Sequence, residues 1–251
     1  VAFNHAMPEE VLSLLAKDED SDVRKAIARN PATPVEVLSH LAKDEDGGVC
    51  CNVAENPTTP LKVRNLVLTR LAQSKDRYYR NEVAKNPVAP LDALKVLAQD
   101  EVSDVRRNVA QNPATPPEVM AVLAKDGDLR VRITVTENSA MPIDVLSNLA
   151  KDEVRDVRAK VAQNPVTPSE VLAELSKDED SYVRSNVIKN PATPKDVLSR
   201  LLHALATSES SDDRIEAAKN PSTPAKTLAE LAKAMEIDVR NAVAVNPSTP
   251  M

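Results

Sequence analysis

The stretch NPATPVEVLSHLAKDEDGGVCCNVAEN, residues 30–56, decides the fold, because it begins and ends on asparagine and its opening phrase restarts at Pro57. The marker asparagine recurs at intervals of 26 residues, lengthened twice to 30. Nine units of near-constant length predict a repeat array, in which each unit buries its apolar face only against its neighbours. The ten marker positions are Asn4, Asn30, Asn56, Asn86, Asn112, Asn138, Asn164, Asn190, Asn220 and Asn246.

The first half of each unit carries the signals of an amphipathic helix that begins at Thr-Pro. Thr33 is predicted to cap this helix and Pro34 to be its first residue. Glu36, three residues after the cap, completes the pattern of a capping box. Apolar side chains then cover one face of the helix. These core positions are Val37, Leu38, Leu41 and Ala42.

The second half of each unit, DVRKAIARN at residues 22–30, predicts a shorter helical segment. Val23, Ile27 and Ala28 are its inward positions. The Asn-Pro that follows ends it, because a residue before proline disfavours the α conformation. Only about eight residues are available, which favours a short α or 3₁₀ helix.

The two 30-residue units test the helical interpretation, because each inserts four residues into its first helix. Four residues are close to one helical turn, so the apolar stripe stays in phase at Leu71 and Leu205. The sequence therefore predicts an all-α fold, a single solenoid over residues 1–251. Both ends fall in mid-repeat, so we expect further repeats or another domain to flank this segment.

The repeated phrase N-P-x-T-P-x-x-V-L-x-x-L-A-x-D, followed by V-R-x-x-V-A-x-N, resembles the leucine-rich repeat variant family of bacterial proteins. The resemblance covers essentially the whole chain. It implies a right-handed superhelix of alternating α and 3₁₀ helices without β-sheet. The family's best-known architecture adds an N-terminal cysteine cluster that binds an iron–sulfur centre. That cluster is absent from this sequence, so no cofactor is predicted.

Composition narrows the function. A net charge of −6 argues against a dedicated nucleic-acid binder, which normally carries a basic excess. No apolar run approaches the length of a membrane span, and no signal peptide is visible. Cys50 and Cys51, the only cysteines, are adjacent, which is typical neither of a disulfide framework nor of a metal site. We therefore expect a cytoplasmic protein, and no nucleophile–base pair or phosphate loop supports catalysis.

An arginine recurs in the second segment of eight units, and Cys50 takes its place in the remaining unit. Such a column could grip the phosphates of a nucleic acid. The acidic residues of each preceding turn favour another interpretation, a ladder of Arg–carboxylate pairs that ties each turn to its neighbour. The column consists of Arg24, Arg80, Arg106, Arg132, Arg158, Arg184, Arg214 and Arg240.

The marker asparagines are interpreted as a second structural column, because an amide beside proline can satisfy the backbone groups of a turn. The acidic run Asp18, Asp20 and Asp22 lacks the glycine and the distal glutamate of a calcium loop, so we expect a solvated turn. The asparagines assigned this structural role are Asn30, Asn56, Asn86, Asn112, Asn138, Asn164, Asn190 and Asn220.

The positions that vary while the repeat frame stays constant are the candidates for binding. The column before the first valine of the second segment holds a tyrosine or an arginine in every second unit, at Tyr78, Arg130 and Tyr182. Tyrosine and arginine are common interface anchors. We expect these columns to tile an extended, concave binding surface. The candidate residues are Tyr78, Tyr79, Arg107, Asn108, Arg130, Tyr182 and Asn186.

Together these features predict a non-catalytic scaffold that binds another protein or peptide along this surface. Two alternatives stay open: nucleic-acid binding through the arginine column, and a structural array that serves an active or cofactor-bearing domain outside the segment.

Overall fold

A computed structural model describes residues 7–138 and 141–249, and every regular element within those ranges is an α-helix. The first marker, Asn4, lies outside the described residues. The first helices of the units are α1 (Glu9–Leu15), α3 (Val35–Leu41), α5 (Leu61–Leu71), α7 (Leu91–Leu97), α9 (Pro117–Leu123), α11 (Ile143–Leu149), α13 (Ser169–Leu175), α15 (Lys195–Ala206) and α17 (Ala225–Leu231). The second helices are α2 (Ser21–Arg29), α4 (Gly47–Glu55), α6 (Arg77–Lys85), α8 (Ser103–Gln111), α10 (Leu129–Thr136), α12 (Arg155–Gln163), α14 (Ser181–Lys189), α16 (Ser211–Lys219) and α18 (Ile237–Ala244).

The chain divides into two compact units, residues 1–138 and residues 139–251. In the first unit, second helices of successive repeats pack on one another, α2 on α4, α6 on α8 and α8 on α10. The second unit repeats this arrangement, with α12 on α14 and α16 on α18. The prediction of an all-α helical repeat solenoid is confirmed. Within the described ranges, no helix has the length and apolarity needed to cross a lipid bilayer.

The core is the aliphatic seam that the repeat pattern predicts. Leu38 and Leu41 of α3 are at most 1% exposed, and Ile27 and Ala28 of α2 are also buried. Full burial of a leucine contributes about 1.5–3 kcal/mol, so the recurrence of this column in each repeat stabilises the whole array. The buried leucines of the matching column are Leu12, Leu38, Leu68, Leu94, Leu146, Leu172, Leu202 and Leu228.

The capping role predicted for Thr33 is wrong. Pro34 precedes the first helical residue with an extended backbone (φ −60°, ψ 151°), and no side chain caps α3. The Thr33 hydroxyl instead donates to the carbonyl of Ile27 at 2.7 Å. A helix end leaves its last carbonyls without partners, and this bond satisfies one of them at the end of α2. The capping box with Glu36 is therefore also wrong.

The second segments are α-helices of eight or nine residues within the described ranges, so the α alternative is the one that forms. The acidic turn before them caps several of them. The Asp46 carboxylate accepts the backbone N–H groups of Gly48 at 2.7 Å and Val49 at 3.2 Å. Helix α4 then ends at Glu55, because Asn56 before Pro57 is extended, as predicted.

The long helices α5 and α15 confirm the phase argument, since Leu71 and Leu205 are 4% and 2% exposed. The longer helix also changes its surroundings. Helix α5 packs extensively on α4, whereas α4 and α6 touch over fewer residues than α2 and α4 do. Tyr79 lies between α4 and α6, with its ring against Gly47 of the preceding repeat.

Candidate functional site

The guanidinium of Arg158 connects two successive repeats. Its Nε donates to Oδ2 of Asp178 at 2.7 Å and its Nη2 to Oδ1 at 3.0 Å, a bidentate pair. Its Nη1 donates to the carbonyls of Asp152 at 2.8 Å and Glu153 at 3.2 Å in its own repeat. One side chain therefore fixes the acidic turn of its repeat against the turn of the next.

The same arrangement recurs at three other arginines that are followed, 20 residues later, by an aspartate in the next repeat. The Nε–Oδ2 distances are 2.6 or 2.7 Å, and the arginine side chains are at most 18% exposed. Sequence reasoning found the arginines but missed the carboxylate partner, although its 20-residue spacing is visible in the sequence. The pairs are Arg24–Asp44, Arg80–Asp100, Arg106–Asp126 and Arg158–Asp178.

The electrostatics of this ladder favour the ionised pair. Burial by itself raises the pKa of Asp178, but the hydrogen bond from Arg158 and the N–H of Asp180 outweigh it, so the pKa lies below its ordinary value. The pKa values of Asp44 and Asp126 are lowered by the same balance. The carboxylates are therefore ionised at neutral pH.

The ladder is altered at Cys50. The aspartate that would pair with an arginine here is also missing, because the corresponding position is Ser74. The Cys50 thiol lies 3.4 Å from the carbonyl of Asp44, and Arg70 from the long helix α5 donates to the carbonyls of Ala42, at 3.0 Å, and Asp44. A cation from the inserted turn thus replaces the missing guanidinium.

A second change follows the other long helix, where the aspartate position is Ser208. Arg184 donates to Asp213 instead, at 3.4 Å, and the Ser208 hydroxyl donates to the same carboxylate at 2.8 Å. Arg214 then pairs with Glu236. Asp213 stands where the other repeats have a core valine or its equivalent, and these contacts explain how a carboxylate is accommodated there.

The asparagine column forms a parallel set of bonds between repeats. The amide of Asn112 donates from Nδ2 to the carbonyls of Ala84 at 2.7 Å and Asn86 at 2.8 Å, and its Oδ1 accepts the N–H of Ala114 at 2.8 Å. The Asn112 side chain therefore satisfies the end of the preceding second helix as well as its own turn. The residues with the same donor bonds to two carbonyls are Asn56, Asn112, Asn190 and Asn246.

These contacts oppose nucleic-acid binding through the arginine column. A phosphate ligand would compete with a carboxylate that already holds each paired arginine by two charge-assisted bonds. The guanidinium groups of Arg24, Arg80 and Arg158 are also largely enclosed, with side chains 10–12% exposed. They are not placed to follow a phosphate backbone.

The candidate binding residues of the first unit have different environments. Tyr78 is 59% exposed, whereas Tyr79 is partly buried, and the two rings meet edge to face with centroids 5.4 Å apart. Arg130 is exposed and pairs with Asp128 at 3.1 Å, and Arg107 pairs with Asp104 at 3.2 Å. Of the two described aromatic groups of this unit, Tyr78 is thus the more accessible.

A groove of about 350 Å³ lies beside Tyr78, between α6 and α8. The buried Val105 and the half-buried Val102 supply its apolar part, and the amide of Asn81 supplies a polar group. Its charged lining residues carry both signs. They are Asp76, Arg77 and Asp104. The groove can receive a side chain that combines an apolar stem with a polar end.

In the second unit Tyr182 is 50% exposed at the start of α14. Its backbone N–H donates to Asp180, the capping residue, at 2.9 Å. The aspartate two residues before Tyr78 makes the same contact at 2.8 Å. The two tyrosines therefore occupy equivalent places at the start of a second helix.

Asn108 and Asn186 are not surface residues, and the expectation that they line an open face is wrong. Asn108 is 9% exposed and donates to Oδ1 of Asn81 at 2.7 Å. Asn186 is 6% exposed, donates to the carbonyl of Tyr182 at 2.8 Å and accepts from Gln163 at 3.0 Å. Each lies four residues after the column of Tyr78 and Tyr182, one turn further along its second helix, where it contacts the preceding repeat.

The cysteines have the environment of core groups. Cys50 is fully buried and Cys51 is half-buried. Burial, with the nearby charge of Glu55, raises the pKa of Cys51 to about 12. Among the described residues, no group of three or more His, Cys, Asp or Glu side chains is arranged to hold a metal ion.

Comparison with known proteins agrees with the helical repeat fold. The family model named leucine rich repeat variant matches residues 22–46 and 155–180. A solved leucine-rich repeat variant protein, described as having a novel repetitive structural motif, is 25% identical with a TM-score of 0.61, over 92% of this chain and 88% of that protein. The predicted resemblance to the family is confirmed.

Two other solved structures are more distant. An engineered protein is 20% identical with a TM-score of 0.35, over 95% of this chain and 87% of its own. A designed armadillo repeat protein is 13% identical with a TM-score of 0.20, over 94% of this chain and 97% of its own. No curated protein matches the chain.

Proposed function

We propose that this chain, whose repeats resemble those of the leucine rich repeat variant family, is a non-catalytic scaffold that binds another protein through the exposed side of its second helices. Its anchors are Tyr78 and Arg130 in the first unit and Tyr182 in the second. The observation that carries the proposal is the exposure of Tyr78 and Tyr182, at 59% and 50%, on a frame whose paired arginines and bridging asparagines are used internally.

Tyrosine supports the proposal for a physical reason. A half-exposed ring keeps apolar area in contact with water. A partner that covers the ring gains the free energy of burying that area, while the hydroxyl keeps a polar contact. Tyrosine and arginine are also enriched among residues that dominate interface energies. In the first unit, the Tyr78 groove offers a place for a partner side chain.

The test uses the full chain with a photoreactive benzoyl-phenylalanine at Tyr78 or, separately, at Tyr182. Both positions are expected to cross-link the same partner protein in cells. The control carries the reagent at Ile143, which is 64% exposed on a first helix. Equal cross-linking from Ile143 would contradict the proposed surface.

The partner so identified is then titrated against the variant Tyr78→Ala/Arg130→Ala/Tyr182→Ala. Loss of two or more anchors lowers affinity by about 30-fold or more, the effect of removing a hot spot. The matched control is Val35→Ala/Leu61→Ala/Ile143→Ala, three exposed apolar residues on first helices. Unchanged affinity in the anchor variant would overturn the assignment of these residues.

A further inference from the structure

The cap position of helix α14 shows how this repeat frame binds a carboxylate. Asp180 caps α14, because its Oδ1 accepts the backbone N–H of Tyr182 at 2.9 Å. Its Oδ2 accepts from Nη1 of Arg155, the first residue of the preceding second helix, at 3.2 Å. Burial by itself raises the pKa of Asp180, but these two contacts hold the pKa below its ordinary value. A helix N–H and a guanidinium from the repeat before therefore converge on one carboxylate.

Helix α8 has the same two donors, but its cap position holds no carboxylate. Arg77 is the first residue of α6, as Arg155 is the first residue of α12. The cap position of α8, with the same 25-residue spacing from the arginine, is Val102. No side chain caps α8, and the N–H of Asp104, two residues after the cap, has no acceptor among the described residues. Arg77 likewise has no ion pair in that part of the chain.

The combination of a cation with an apolar cap position distinguishes this place from the other repeats. Within residues 7–138 and 141–249, Arg77 and Arg155 are the cations that begin a second helix. Helix α12 also follows an uncapped valine, Val154, but the residue 25 positions earlier is Leu129. The frame thus supplies a carboxylate to Arg155, needs none at Leu129, and supplies none to Arg77.

The unpaired guanidinium belongs to a groove that fits an acidic side chain. Arg77, Val102 and Asp104 all line the groove of about 350 Å³ beside Tyr78. The Tyr78 ring, which is 59% exposed, and the side chains of Val102 and Val105 provide apolar walls. A carboxylate on a short apolar stem can therefore meet the guanidinium with its oxygens while its methylene groups pack on the walls.

The acids of the groove limit the charge of the ligand. Asp104 already pairs with Arg107 at 3.2 Å, and the Asp76 carboxylate accepts the N–H of Tyr78 at 2.8 Å as the cap of α6. Arg77 compensates one negative charge. The second charge of a phosphate would face Asp76 and Asp104 without compensation, so the groove favours a carboxylate over a phosphate.

We infer that the Tyr78 groove binds the side-chain carboxylate of a glutamate or aspartate of the partner protein, through Arg77 and the N–H of Asp104. The ligand takes the part that Asp180 plays in its own repeat. This inference deepens the proposed function and rests on it for the partner, whereas the carboxylate site is tested without a partner.

The experiment is an NMR titration of the isotope-labelled full chain with N-acetyl-glutamate N-methylamide. We expect a saturable shift of the Asp104 amide, with a dissociation constant of about 1–30 mM for one charge-assisted contact of a small ligand. The neutral N-acetyl-glutamine N-methylamide is expected to give no such shift. Arg77→Gln should raise the dissociation constant at least about tenfold. The matched control Arg155→Gln should leave it unchanged, because Arg155 is engaged by Asp180.

A second variant supplies the carboxylate from within the chain. Val102→Asp is expected to raise the thermal midpoint by about 2–4 °C, because it caps α8 and pairs with Arg77, and to abolish the shift caused by the glutamate probe. Val154→Asp is the matched control, since Leu129 takes the place of the arginine there, and it should leave probe binding unchanged.

Three results would each overturn the inference: no saturable shift at Asp104, an equal response to the glutamine analogue, or tighter binding of inorganic phosphate than of the glutamate probe. Unchanged probe binding by Arg77→Gln would overturn it as well. Probe binding without cross-linking of a protein from Tyr78 and Tyr182 would support the carboxylate site and contradict the proposed function. Cross-linking without probe binding would contradict this inference alone.

Discussion

Arg158 and Asp178 are joined by two parallel hydrogen bonds of 2.7 and 3.0 Å although they lie 20 residues apart in different repeats. Both side chains are largely enclosed, at 11% and 7% exposure. The pair is therefore a connection between repeats rather than a solvated surface ion pair, and substitutions there report on how strongly neighbouring repeats are coupled.

Arg158→Lys is expected to lower the free energy of unfolding by about 1–3 kcal/mol, because a lysine cannot reproduce the two-pronged contact with Asp178 and the bonds to the Asp152 turn. Urea denaturation of the full chain measures the change. Arg200→Lys is the control, since Arg200 pairs with Asp196 on an exposed face, with side chains 73% and 72% exposed. Equal effects of the two substitutions would show that the enclosed pair adds no more to the free energy of unfolding than the exposed pair does.

Low pH should lower the free energy of unfolding, because it protonates the carboxylates that pair with the arginines. The folded-state pKa of Asp178 lies below its unfolded value, so its stabilising contribution is present above about pH 4 and is lost as the pH falls through the folded value. Asp178→Asn is therefore expected to destabilise the chain at pH 7, with a difference from wild type that narrows as the pH falls from about 5 to 3. Urea midpoints across this range measure the narrowing; a constant difference would contradict the linkage.

Asn112→Asp removes the two amide hydrogens that bind the carbonyls of Ala84 and Asn86. A carboxylate oxygen then faces two carbonyl oxygens in a buried site, and we expect a loss of about 2–4 kcal/mol in the free energy of unfolding. Asn148→Asp makes the same chemical change at an exposed position and should be nearly neutral. Thermal or urea unfolding of both variants distinguishes a bond between repeats from a general effect of the added charge.

Gly47→Ala would place a methyl group 2.4 Å from Cε2 of Tyr79, so the ring must move from its position. We expect about 1–2 kcal/mol of destabilisation and a change in tyrosine fluorescence. Gly127→Ala is the matched control, because nothing lies within 4 Å of the added carbon. In a double-mutant cycle Tyr79→Ala should remove most of the cost of Gly47→Ala; two fully additive losses would show that the two residues do not interact.

The thiols of Cys50 and Cys51 should react slowly with a disulfide reagent while the chain is folded. Burial raises both pKa values, that of Cys51 to about 12, so the thiolate is scarce at pH 8. We expect modification at least about 50-fold slower than that of an exposed thiol, and fast modification of both in denaturant. Rapid labelling of the folded chain would contradict this environment.

The candidate binding surface was only partly predictable. Exposure of Tyr78 and Tyr182 follows from their place in the helical period, because each directly precedes the core position of its second helix, Tyr79 or the buried Val183, and is turned about 100° away from it. Asn108 and Asn186 also fall away from the core in that period, yet they are buried by the adjacent repeat. Whether the adjacent repeat buries such a side chain depends on the distance between repeats, and the local sequence pattern does not contain that distance.

The sequence by itself determined the repeat length, the helical class and the phase of the core, because a helix fixes which side chains share a face and an insert of four residues preserves that face. Only the tertiary structure decided how the polar side chains are used. Thr33 serves the preceding helix instead of capping its own, and an arginine such as Arg158 reaches an aspartate in the next repeat. Such bonds join groups that are distant along the chain, so their partners are set by the stacking of repeats, whereas the helices are set by spacing within one repeat.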